Sequence, residues 1–162
     1  MKKLIICLVI FSGACSTFAK PEKIDPANFS LQLARTECFG KCPVYTVTVQ
    51  ADGKVQFFGM KNTKVTGRAE DTLSREKLDE LAAEINKANI FAFKDSYTPD
   101  SGNCPSKATD NPTVKLLVES GQKRKAIDHY HGCLDRSEKF PPGLAELEDN
   151  IDRIIGTERW IK

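Results

Sequence analysis

Apolar and polar side chains alternate from Phe29 to Ala34, with Phe29, Leu31 and Leu33 on one side. Period two is the signature of a strand with one buried face. The same alternation returns at Tyr45, Val47 and Val49, interleaved with Thr46, Thr48 and Gln50. Asp52-Gly53 follows, a dipeptide that accepts the positive φ of a tight hairpin, so Val55 to Gly59 is expected to pair back. Lys64 to Ala69 offers a further strand. The period then changes. Leu78, Leu81, Ala82 and Ile85 make one helical stripe within Leu73–Ile90, Ser74 suits the N-cap, and Leu73 with Leu78 suits a hydrophobic staple.

Beyond Phe91 and Phe93 a polar stretch from Lys94 to Pro112 reads as a long loop. Thr113–Glu119 and Lys123–His131 form a second hairpin around Ser120-Gly121, and Pro142–Ile155 carries Leu144, Leu147, Ile151, Ile154 and Ile155 on one helical face, with Gly156 as C-cap. This order of strands, helix, hairpin and helix predicts an α+β fold. Its expected form is an antiparallel sheet of two hairpins or a meander, with two helices packed on one face.

The first residues change the picture from a domain to an exported domain. Met1-Lys2-Lys3 is a positive start, and Leu4–Phe11 is an apolar run too short for the roughly 20 residues a bilayer span needs. Two cleavage readings stand side by side. Ser12-Gly13-Ala14-Cys15 resembles a lipobox, which makes Cys15 the lipidated first residue, although Ser12 stands where Leu is usual. Thr17-Phe18-Ala19 instead suits a general signal peptidase. The expected organisation is a signal peptide at 1–19, a tether at 20–28 and a single domain at 29–162. The destination is the periplasm or a membrane-anchored lipoprotein, with lipid at the N-terminus as the only membrane contact.

Charge narrows the partners. The chain carries 24 basic and 22 acidic residues, and loss of Lys2 and Lys3 leaves 22 against 22. A neutral domain lacks the basic face that phosphate backbones demand, so nucleic acid is not expected. Lys123-Arg124-Lys125 reads as a protected strand edge.

The run Arg35-Thr36-Glu37-Cys38-Phe39-Gly40-Lys41-Cys42-Pro43-Val44-Tyr45, followed by Asp52-Gly53, resembles an uncharacterised bacterial family of exported proteins marked by Cys-Phe-Gly-x-Cys-Pro-x-Tyr. The resemblance continues through Gly59, Gly67, the Leu81 helix and the Asp128–Gly132 strand. It implies one domain over most of the mature chain and carries no activity with it.

Of six cysteines, Cys7 and Cys15 belong to the leader, leaving Cys38, Cys42, Cys104 and Cys133. In an oxidising compartment disulfides are the default, and four cysteines allow three connectivities among which the sequence does not choose. The pairing adopted is Cys38 with Cys42 and Cys104 with Cys133. The first needs Cα atoms within about 7 Å, whereas four extended steps span roughly 13 Å, so the chain must turn, as Gly40 permits.

A sharper chemistry competes with staples. His129, His131 and Cys133 alternate on one strand face, and with Cys38 and Cys42 they offer thiolate and imidazole ligands suited to Cu(I) or Zn(II). Ile127 shares that face, which equally suits buried histidines with satisfied hydrogen bonds. Cys38 and Cys42 also admit a thiol-redox reading, though no helix follows them to lower a thiol pKa. A third reading sets His129 or His131 against Asp100, Asp110 or Asp128 as a hydrolase site. No nucleophile elbow, phosphate loop or His-Glu-x-x-His is present. The expectation is therefore a non-catalytic binding or structural module without cofactor, its partner an envelope protein or ligand.

Overall fold

The computed structural model describes residues 23–134 and 143–162. The leader, with Cys7 and Cys15, the first tether residues and Pro142 lie outside them. Seven strands form one sheet: β1 (Phe29–Arg35), β2 (Val44–Gln50), β3 (Lys54–Lys61), β4 (Gly67–Thr72), β5 (Ser96–Tyr97), β6 (Thr113–Ser120) and β7 (Lys123–Tyr130), in the order β4-β3-β2-β1-β6-β7-β5. Three helices among the described residues accompany it: α1 (Arg75–Lys87), α2 (Leu144–Ile155) and the four-residue α3 (Glu158–Ile161).

The alternation in sequence becomes the two faces of the sheet. Phe29, Leu31 and Leu33 of β1 are buried, as are Val47 and Val49 of β2, Val55 and Phe57 of β3, Val114, Leu116 and Val118 of β6, and Ile127 and His129 of β7. Register aligns them, since Leu33 pairs with Val47 on one side and Leu116 on the other. Leu78, Leu81 and Ile85 of α1 join the same core, as do Leu144, Leu147, Ile151 and Ile155 of α2 and Trp160 of α3. Each such side chain contributes about 1.5–3 kcal/mol on burial. Tyr45, Phe57 and Trp160 stack in a row with ring centroids 5.3 and 4.9 Å apart. The opposite face is polar, with Gln32, Thr48, Gln56 and Lys115, and Phe58 is its exposed aromatic.

Local signals work where they were read. Gly53 takes φ +87° in the β2–β3 turn, and Asp52 Oδ1 accepts from the Lys54 N–H at 2.9 Å. Ser74 caps α1 by accepting from the Lys77 N–H, and Gly156 closes α2 in a left-handed conformation. Ile24, within the expected tether, is 3% exposed, and its N–H donates to Asn86 Oδ1 at 2.6 Å. The domain's packing therefore begins before Phe29.

The expected architecture is corrected. In place of an antiparallel sheet of two hairpins or a meander with two helices on one face, the described residues are mostly sheet: seven strands, mixed in direction, with three short helices. The mixing comes from β5, which pairs parallel to β7 with Ser96 opposite Asp128 and Tyr97 opposite His129. Two residues inside a polar stretch carry no periodicity, and the strand exists because a distant partner offers its edge. β4 starts at Gly67 and runs into Asp71 and Thr72, later than the expected Lys64–Ala69. Apolar alternation is nearly absent there, and pairing with β3 alone sets its bounds. The α1 helix stops at Lys87, and Ile90–Ala92 turns as a short 3-10 helix after Asn89 enters the left-handed region at φ 51°.

Candidate functional site

The structure joins Cys38 to Cys42 and Cys104 to Cys133, with Cα atoms 5.8 and 5.4 Å apart. Cys38, Cys42 and Cys133, weighed as metal ligands, are thereby corrected. Each sulfur is bound in a disulfide and presents no thiolate.

What remains of the expected cluster is the histidine pair, and the structure adds a carboxylate. His129 and His131 project from one side of β7 and its extension, their ring centroids 4.7 Å apart. Between them stands Glu148 of α2, fully buried. His129 Nδ1 lies 2.8 Å from Glu148 Oε1, and His131 Nε2 lies 2.7 Å from Oε2. One ligating atom from each residue falls within 4.8 Å of the others. Burial pushes the Glu148 carboxyl up, but hydrogen bonds and charge from the two imidazoles outweigh it and hold the group below the ordinary carboxylate range. His129 is buried, whereas the His131 side chain keeps 23% of its surface exposed. The cluster meets solvent at His131.

The backbone around His131 is held from several directions. Its N–H donates to the Pro112 carbonyl at 3.0 Å, and the strap at 106–108 is laced to the next residues by Ala108 N–H to Gly132 O and Leu134 N–H to Ser106 O, both 2.8 Å. The Tyr130 hydroxyl donates to the Ala108 carbonyl at 2.8 Å. A Cβ on Gly132 would stand 2.4 Å from that same carbonyl, so only glycine allows the strap to pass so near. The Cys104–Cys133 disulfide ties the two segments covalently.

The aspartates expected near the histidines lie elsewhere. Asp128 follows Ile127 and precedes His129 on the strand, so it faces the opposite side and pairs with Lys115 at 3.6 Å. Asp100 sits exposed on a 3-10 turn, and Asp110, also exposed, accepts from the Thr109 hydroxyl. Sequence reasoning missed Glu148, although a signal existed. It falls four residues after Leu144 and three before Ile151, inside the apolar stripe, where a carboxylate is not buried without partners.

A second polar cluster lies one helical turn further along α2. Asp152 Oδ2 accepts from Arg35 Nε at 2.8 Å, and its Oδ1 accepts from the hydroxyls of Tyr45 and Thr157, each at 2.7 Å. Arg35 also reaches Asp149 at 2.9 Å. Burial, then the charge on Asp152, pushes the Tyr45 phenol well above its usual range. Tyr45 is a core residue. A cleft of ≈ 450 Å³ opens beside it, lined in part by Pro43, Tyr45, Thr157 and Ile161. Phe39, between Cys38 and Cys42, is 87% exposed.

Among the described residues no helix is long and apolar enough to cross a membrane. No curated protein matches the chain. Residues 29–155 match the family described as Domain of unknown function (DUF6438), a span from the first strand to the end of α2 that contains the histidine–glutamate cluster and both disulfides. The chain belongs to that family.

Proposed function

We propose that the protein is an exported cell-envelope domain, periplasmic or anchored by lipid on Cys15, that works as a non-catalytic binding module for an envelope component. The observation that carries this reading is the state of the cysteines. All four beyond the leader are paired in disulfides, and such bonds persist in oxidising compartments. A leader of the Lys2-Lys3 and Leu4–Phe11 kind agrees with that destination. The polar cluster around Glu148 supports binding over catalysis. Its carboxylate is enclosed and already engaged by two imidazoles, and only His131 of the three keeps an exposed edge.

The test is fractionation of the native cells with thiol alkylation before and after reduction, read by intact mass. The expected result is recovery with the envelope, four cysteines that alkylate only after reduction, and a first residue of either lipidated Cys15 or Lys20. Recovery from the cytosol with thiols that alkylate at once overturns the reading. A turnover traced to the purified domain overturns its non-catalytic part.

A further inference from the structure

We infer that His129, His131 and Glu148 form a binding site for a divalent transition-metal ion of the zinc type. The inference rests on the reading of the protein as a binding module and names what is bound.

Three observations carry it. The first is the donor set. Two imidazole nitrogens and one carboxylate are a ligand combination that zinc accepts readily, with a further position left for water or an incoming group. Calcium and magnesium prefer oxygen alone. Mixed nitrogen and oxygen donors suit Zn(II), Co(II), Ni(II) and Cu(II).

The second is geometry. The donor atoms already lie within 4.8 Å of one another, with contacts of 2.8 and 2.7 Å between nitrogen and oxygen. Donors about 2.1 Å from a tetrahedral ion stand roughly 3.4 Å apart. Each nitrogen–oxygen contact must therefore widen by about 0.7 Å, a small turn of the Glu148 side chain and the rings. The backbone that presents them is fixed, by the sheet for His129, by the Pro112 carbonyl and the disulfide-tied strap for His131, and by α2 for Glu148.

The third is charge. Glu148 is fully buried, and its hydrogen-bond partners among the described residues are the two histidines. A carboxylate enclosed in the core is costly to keep away from water without a cation beside it. A divalent cation offsets it. On binding, each ring nitrogen facing the carboxylate presents its lone pair to the ion, and the proton it carried moves to the ring's other nitrogen or to solvent. The partly exposed edge of His131 is the side by which an ion enters and where the remaining position faces.

The experiment is metal titration of the purified, oxidised domain. Zn(II) is measured by competition with a chromophoric chelator, and Co(II) by its visible d–d absorption, with Mg(II) as the hard-ion control. The expected result is one equivalent of Zn(II), a Co(II) spectrum of low coordination number, no competition by Mg(II), and at least tenfold weaker binding in His131→Ala. That variant is chosen because His131 is the exposed member and the fold depends on it least. Nitrogen-15 spectra of the wild-type imidazoles give a second readout that needs no variant: both rings shift on adding one equivalent of Zn(II). No uptake, or uptake that His131→Ala leaves unchanged without a shift of either ring, overturns the inference. The cluster is then a proton-bridged structural pin. Such a failure leaves the fractionation and alkylation results untouched, and a cytosolic protein with free thiols that still binds zinc would fail the export reading alone.

Discussion

Replacing Asp152 by Ala tests how far the second polar cluster supports the fold. The carboxylate takes hydrogen bonds from Arg35, from Tyr45 and from Thr157, the last two each 1% exposed. Alanine removes the acceptor of the buried Tyr45 hydroxyl, at about 1–3 kcal/mol, and leaves the Thr157 hydroxyl only a long contact of 3.5 Å to the Asp152 carbonyl. The Arg35 loss is smaller, because Asp149 and solvent remain available to a guanidinium whose side chain is 16% exposed. Breaking a buried charged network costs roughly 3–5 kcal/mol as a whole, so these terms do not simply add. One term has the opposite sign. Asp152 lies in the last turn of α2, where a negative charge opposes the helix dipole, and removing it recovers about 0.3–1 kcal/mol. The net expectation is a loss of about 3 kcal/mol, or roughly 10 °C in Tm for a domain of this size. Urea denaturation followed by Trp160 fluorescence measures it, since that indole stacks on Phe57 in the native state. Asp152→Asn, which keeps an acceptor, should lose about half as much. A double-mutant cycle with Tyr45→Phe should return a coupling above about 1 kcal/mol. A loss below about 1 kcal/mol for the alanine variant would show that water or repacking replaces the carboxylate, and the account of this cluster would be wrong.

The two disulfides should differ in worth. Closing a separation of 4 residues stabilises by roughly 2 kcal/mol through loop entropy and closing 29 by roughly 3.5, so the Cys104→Ser/Cys133→Ser pair should lower the urea midpoint more than Cys38→Ser/Cys42→Ser; the reverse order would refute the entropic argument. The raised Tyr45 phenol predicts a pH dependence with a definite sign. Its neutral form is favoured in the folded state, so its contribution is complete below the unfolded value near pH 10 and is lost as pH rises beyond it. Absorbance titration of tyrosinate should show one late component that vanishes in Tyr45→Phe, and a titration unchanged by that substitution would count against the buried hydrogen bond to Asp152.

What could be read in advance follows from how local each signal is. β1, β2, β3, β6 and β7 announce themselves because one face of each is buried, which writes period two into the chain. β5 and β4 do not. The first is two residues recruited by the edge of β7, and the second is a charged edge strand with no core face to mark it. α3 follows the Gly156 cap too closely to show a period of its own. The disulfide partners were not fixed by the sequence, which allowed three connectivities, and four paired cysteines left the anticipated thiolate site without thiolates. The histidines were visible as an alternating pair. Their carboxylate was not, because it comes from a helix whose placement against β7 is a tertiary fact. The nearer aspartates in sequence, Asp128 above all, are on the wrong side of the strand.

Glu148 and Asp152 are four residues apart, one turn and about 6 Å along α2. An apolar stripe by itself tolerates sliding, since leucine and isoleucine one turn along fill similar space. The two acids do not. A slip one way sets Asp152 between the histidines but brings Gly156 to Arg35 and Tyr45. A slip the other way gives Glu148 to Arg35 and leaves Leu144 facing the imidazoles. Either displacement satisfies one group of partners and deserts the other, at a cost of several kcal/mol. Two points determine both the position and the rotation of a rod, and α2 is keyed to the sheet as a lock is keyed by two pins at a fixed spacing.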